Sequence, residues 1–230
     1  MFVLACLLVS CQQIPQEQRN TSHVLPAAQR PLAIEHGKFW EEEGRKMLYR
    51  GEDSTQHFDI SNLDLKEAQF HYGIGRERFP ALLEPKFGSI ETVDSLWADS
   101  SRFLLATLNG EVKAYSVKDL TRHEVVNDVL GGEPIAAAYC ILADLGAIYD
   151  RRYGRHILTF SLSGYTYFDP SVWEGKDGFV WWDRETESLW WPLVDEAVSG
   201  PLKGAPLKVL DKSMWEDTDW ATIKSQYPQA

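Results

Sequence analysis

RFLLATLNGEVKAYSV, from Arg102 to Val117, holds two apolar or alternating runs on either side of Asn109 and Gly110. Asn followed by Gly best tolerates the positive φ angles that both central positions of a type I′ turn require, so the stretch reads as a β-hairpin. Downstream come PIAAAYCIL, AIYDRRYGRHILTFSLSGY, DGFVWWDRETESLWW, AVSG and APLKVL, short β-rich runs punctuated at Gly154, Gly164, Gly178, Glu185 to Glu187, Gly200 and Gly204. Many short strands at this spacing predict an α+β chain that is mainly β with a few short helices, its antiparallel sheet folded as a single barrel- or sandwich-like domain.

Four segments read as helical. KFWEEEGRKMLYRG, Lys38 to Gly51, sets Phe39, Met47 and Leu48 among charges and ends on a glycine. Ser89 heads a run to about Trp97, with Glu91 in its first turn. DLTRHEVVND spaces Leu120, Val125 and Val126 in a roughly helical way before the turn at Gly131 and Gly132. DTDWATIKSQYP carries a cap at Asp217 or Thr218 and stops before Pro228. HFDISNLDL alternates like a strand, and the Gly73 and Gly75 pair after it lacks the strand-loop-helix context of a phosphate loop.

The first ten residues, MFVLACLLVS, are apolar except for Ser10, and they are too few to span a bilayer, which takes about 20 apolar residues. Leu8, Val9, Ser10 and Cys11 resemble the bacterial lipobox, in which a small residue precedes the cysteine that is lipidated and becomes the new N-terminus. That resemblance implies a lipoprotein signal over residues 1–10, lipidation at Cys11, a flexible tether over 11–30 rich in Gln, Pro, Ser, Thr and Asn, and one globular domain over 31–230. Gln12 stands where the inner-membrane retention signal has Asp, which points to an outer-membrane lipoprotein facing the periplasm, with a secreted periplasmic protein as the alternative. Cys6 leaves with the signal, so Cys140 is the one free thiol of the processed chain and no internal disulfide forms.

With 44% hydrophobic and 12% aromatic residues the chain is globular rather than disordered. Its 34 acids against 23 Lys and Arg give a net charge of −11, which argues against nucleic acid and anionic lipid surfaces as partners. Membrane contact is then expected through the lipid alone. Whether the partner is a small molecule, a glycan or a protein stays open, as does any cofactor.

NGEVKAYSVKDLTRHEVVNDVLGGEPIAAAYC and DRETESLWWPLVDEAVSGPLKG resemble, in order, the motifs of the bacterial family catalogued as domain of unknown function 3179, over roughly Phe79 to Leu210. In that pattern a histidine and glutamate, here His123 and Glu124, precede Asn127 and Asp128, a glycine pair, and an aromatic residue beside a cysteine, here Tyr139 and Cys140. Many relatives carry a second cysteine three residues later, where this chain has Ala143. A dithiol or soft-metal clamp needs both sulfurs, so the resemblance implies a site reduced to one thiol. The family's Ser-Gln after SLW also appears here as Trp191 and Pro192.

Three readings follow. The first is a non-catalytic binding module with a degenerate metal or thiol site, its candidate residues being His123, Glu124, Asn127, Cys140 and Asp144, since imidazole, carboxylate and thiolate are the donors of Zn²⁺ or Cu⁺. The second is an enzyme with Cys140 as nucleophile and His123 as base. The apolar strand AAAYCIL, with no Lys or Arg within three residues of the thiol, speaks for a buried and inert cysteine instead. The third is a carbohydrate- or peptide-binding surface built from Trp173, Trp181, Trp182, Trp190 and Trp191. The charged turn between the last two tryptophan pairs offers Arg184 as an ion-pair partner for an acid.

Overall fold

A computed structural model describes residues 3–6, 35–49, 57–174 and 177–227, the segments 3–6 and 35–36 by their backbone path. Cys11, the tether over 11–30 and the start of the domain at 31–34 lie outside the described residues. The Arg102–Val117 hairpin is as the sequence predicts. Arg102–Leu108 pairs with Glu111–Ser116, and the turn has φ 50° at Asn109 and 83° at Gly110.

Three larger sheets stack on one another. The hairpin sheet adds Trp215–Asp219 beside Arg102–Leu108, and on the other side Val3–Cys6, which runs between Glu111–Ser116 and Phe87–Ser89. The central sheet is built on Glu133–Cys140, flanked by Val125–Leu130 and Leu145–Asp150, with Leu82–Leu83 and Lys208–Val209 at its edges. The aromatic sheet pairs Phe160–Tyr167 with Gly178–Asp183 and continues through Leu189–Trp191 to Glu196–Ser199 on one side, and through Phe70–Tyr72 to Glu35–His36 on the other. No barrel closes among the described residues; the sheets remain open and lie face to face.

The central sheet is covered on both faces, which is why Pro134 to Cys140 is buried without interruption. A strand covered on one face alternates, whereas one covered on both reads as a continuous apolar run. Its residues are small because the layers come close. A Cβ on Gly146 would sit 2.8 Å from a methyl of Leu104 in the hairpin sheet. On the opposite face, Tyr149 meets Trp181 edge to face at 5.0 Å between ring centroids. The outer face of the hairpin sheet is closed by the helix Trp220–Gln226, whose Trp220 lies 5.2 Å from Phe103. The outer face of the aromatic sheet is closed by Phe58, 5.9 Å from Trp182.

Two segments expected as helix contain strand. Phe39–Glu42 and Arg45–Leu48 form a hairpin around Glu43 and Gly44, at φ 51° and 76°. The register sets Glu41 opposite Lys46 and Glu42 opposite Arg45, so the charges that suggested an exposed helix face are cross-strand pairs. In DLTRHEVVND the helix covers only Val117–His123, started by the Ser116 hydroxyl, which accepts from the Asp119 N–H. Val125 and Val126 are β-branched and begin a strand, paired with Ala138 and Ala137. The C-terminal helix is capped by Asp219 rather than Asp217 or Thr218, because Trp215–Asp219 is still strand and Asp217 is engaged by Arg102. Ser89 does precede a helical turn, Ile90–Val93, continued as a 3-10 turn to Leu96.

Candidate functional site

The left-handed residue between helix and strand is Glu124, with φ 56° and ψ −27°. That conformation is uncommon for a residue with a Cβ, and it is held here from both sides: the Glu124 N–H donates to Leu120 O at 2.6 Å and its carbonyl accepts from the Tyr139 N–H at 2.9 Å. The turn brings the side chain inside, where Glu124 is 7% exposed. No group among the described residues bonds its carboxyl, and burial alone pushes its pKa up to about 8. An ionisable group kept inside without a partner is costly, so its presence calls for a reason.

Cys140 ends the neighbouring strand. The register places it on the same face as Asn127, Ala136 and Tyr149, turned toward the aromatic sheet. It is fully buried. Burial pushes the thiol up to about 12 and the Glu124 carboxylate adds to the rise, while the backbone N–H groups of Ala143, Phe179 and Leu142 bond the sulfur and pull the other way. Tyr149, which the sequence did not single out, completes the corner: burial raises its hydroxyl, and the charges of Asp195 and Cys140 reinforce the shift. Its signal was available in the strand pairing, since two residues of alternation from Ala147 set it on the Cys140 face.

The other candidates go elsewhere. The Nδ1 of His123 donates to the Pro80 carbonyl at 2.8 Å, which ties the helix end to the FPALL segment instead of offering a base to the thiol. Asn127 bonds the backbone of Phe160 twice, Nδ2 donating at 2.8 Å and Oδ1 accepting at 2.9 Å, and so clips the central sheet to the aromatic one. Asp144 accepts from Arg102 at 2.5 Å and from the Tyr139 hydroxyl at 2.7 Å on the opposite face. Asp128 accepts from the Lys113 ammonium at 3.0 Å and from the Tyr115 hydroxyl at 2.8 Å. Among the described residues no three His, Cys, Asp or Glu side chains converge to hold a metal ion.

The tryptophan surface is overturned. Trp181, Trp182, Trp190 and Trp191 are at most 2% exposed, and Trp173 is half-buried. Alternation sends Trp181 and Trp190 to the cluster shared with the central sheet and Trp182 and Trp191 to the cluster behind, and both faces are covered. Arg184 does pair with an acid, Glu77, at 2.9 Å.

A separate cavity of about 510 Å³ is lined by Asp59, Ser61, Asn62, Thr186, Glu187, Gly200 and Pro201. Its polar groups are spent on one another: Asn62 bonds both backbone groups of Gly200, Ser61 bonds Asp59, and Thr186 bonds Asp183. It is a crevice between satisfied turns, unlike the Glu124 corner.

No curated protein and no solved structure matches the chain. A family model does match, over residues 76–230, and takes in the Glu124 turn, the Cys140 strand and the aromatic sheet from Phe160 onward; the chain belongs to the family described as protein of unknown function, DUF3179.

Proposed function

We propose that this protein is a non-catalytic ligand-binding module of the bacterial cell envelope, anchored through lipid on Cys11, whose ligand sits at the corner formed by Glu124, Cys140 and Tyr149. The observation that carries the reading is the Glu124 side chain, buried, without a hydrogen-bond partner for its carboxyl among the described residues and set in left-handed backbone. A side chain kept for packing alone has no use for a desolvated carboxyl, so one retained there serves something that brings a donor to it. The ligand this favours is small and carries an N–H or O–H for an oxygen of the Glu124 carboxyl beside a soft contact for the thiol.

The site is tested by native mass spectrometry of protein purified from its envelope. A small-molecule adduct is expected on the wild type and not on Glu124→Gln; equal adducts on both, or none, sink the reading. The anchor is tested separately by palmitate labelling, which is expected in the wild type and absent in Cys11→Ala. The site is further proposed to hold no stoichiometric metal, because His123 and Asp144 are spent elsewhere and Ala143 offers no donor. Metal content far below one equivalent in the wild type, rising in Ala143→Cys, is the expected result; equimolar zinc or copper lost in Cys140→Ala contradicts it.

A further inference from the structure

Val3–Cys6 holds an inner place in the hairpin sheet, parallel to Glu111–Ser116 on one side and antiparallel to Phe87–Ser89 on the other. Its register sets Val3, Leu4 and Ala5 opposite Val112, Lys113 and Ala114. A two-residue turn makes Leu108 and Glu111 a mutually bonded pair, so Glu111, Lys113 and Tyr115 aim their backbone groups at Arg102–Leu108. Val112 and Ala114 therefore aim theirs at Val3–Cys6. The two flanking strands are also tied to each other without it. On the inner face the Phe87 ring lies 5.7 Å from that of Tyr115, and the Lys113 ammonium stands 4.5 Å from its centroid. On the outer face Ile90 and Val93, from the helical turn that follows Ser89, share an apolar cluster with Val112 and Ala114.

We propose that, in the chain that has lost residues 1–10, the gap between Glu111–Ser116 and Phe87–Ser89 accepts an extended apolar strand of a second polypeptide. This rests on the proposed removal of that leader and is independent of the ligand at the Glu124 corner. Taking away one strand opens a gap of two strand spacings, about 10 Å, whose rims stay joined on both faces. Backbone groups that line it, those of Val112 and Ala114 among them, then lack partners, and buried N–H and C=O groups are rarely left so. An open rim of this kind is a template for strand addition, and here there are two. The strand now seated defines the chemistry of the occupant. It is four residues long, uncharged and apolar, and it has no proline, because a strand paired on both sides donates from every residue. One parallel and one antiparallel rim also fix its direction. Between Cys11 and Glu35 the sequence has no run of four apolar residues and is interrupted by Pro15, Pro26 and Pro31. The processed chain thus carries no equivalent segment ahead of the domain, and the replacement comes from outside.

The test uses the full chain, expressed with its leader and purified from the envelope, and a synthetic peptide of Phe2 to Leu7 with a solubilising lysine tail. Intact mass is expected to show residues 1–10 gone. The amides of Val112 and Ala114 are expected to exchange with solvent at least about tenfold more slowly with the peptide than without it. The same peptide with Leu4→Pro is expected to bind at least about tenfold more weakly, and because the change is in the peptide it leaves the folding of the protein untouched. Selective binding that protects both amides supports the proposal. A mass that retains the leader overturns it together with the lipid anchor. A processed chain whose Val112 and Ala114 amides are protected on their own, or which binds neither peptide or both equally, overturns it alone.

Discussion

Glu124 makes the stability of the protein depend on pH in a direction opposite to that of most carboxylates. The folded chain holds this proton up to about pH 8, whereas a free glutamate loses it near 4.5. The stabilising contribution is therefore complete below pH 4.5 and is lost as pH rises through 8, at up to about 1.4 kcal/mol per pH unit. Urea midpoints of wild type and Glu124→Gln at pH 5 and pH 8.5 are expected to diverge, the wild type losing more on the alkaline side; parallel profiles contradict an unpartnered carboxyl. Glu124→Met, which removes the titrating group, is expected to melt about 2–10 °C higher at pH 8. At Cys140 the raised thiol and complete burial predict that a bulky maleimide reacts at less than about a thousandth of the rate seen in urea. Rapid labelling of the native protein would return the thiol to the nucleophile reading. The sequence pointed to Glu124 and Cys140 as residue types, but it could not sort them from His123, Asn127 and Asp144. That sorting depends on one left-handed residue, which ends the helix four positions before the sequence pattern does and turns a single side chain of HEVVND inward.

Among the elements, two-residue turns decide where this chain reverses. The hairpin at Asn109 and Gly110 was legible because that dipeptide has few alternatives; the one at Glu43 and Gly44 was not, because glutamate at positive φ is rare and the flanking charges imitate a helix surface. Gly110 and Gly131 allow a controlled comparison. Both have positive φ, but a Cβ on Gly110 meets nothing within 4 Å, while one on Gly131 would lie 2.2 Å from the Leu108 carbonyl oxygen. Gly110→Ala is expected to cost about 1 kcal/mol, the backbone strain alone, and Gly131→Ala several times as much, because the two hairpins must also separate. Denaturant titration decides it; equal losses would mean that the approach of the two turns is not close. The helix at Val117–His123 was foreseen in part, since Leu120 was placed on its apolar face and is buried, but its start at the Ser116 cap was not read and its end was misplaced because two valines fit the helical spacing as well as they fit a strand.

For the molecule as a whole, the sequence made the β-rich, antiparallel character legible through the frequency of its turns, but not the order in which the sheets stack. Stacking follows from which faces are covered, and a run such as PIAAAYC is equally apolar whatever lies above it. The same ambiguity produced the tryptophan surface: FVWWD and SLWW look two-faced, and only a second layer on each side makes both faces interior. Asn127 is the polar tie between two of these layers, and Asn127→Ala is expected to cost about 1–3 kcal/mol by leaving both backbone groups of Phe160 unpaired, read as a lowered urea midpoint with an unchanged slope.

One strand gives the fold a history as well as a shape. Val3–Cys6 lies between Glu111–Ser116 and Phe87–Ser89 and joins them into one ladder. Under the proposed maturation these same residues are cut away, five positions upstream of the lipidated cysteine. Folding and processing then compete for one segment. A precursor that folds first ties up its leader in backbone hydrogen bonds and withdraws the cleavage site from the peptidase, whereas a chain processed first must close the sheet without it. Maturation becomes a race, and a destabilised hairpin sheet, as in Gly131→Ala, should shorten the life of the unprocessed form in a pulse-chase even as it lowers the stability of the finished protein.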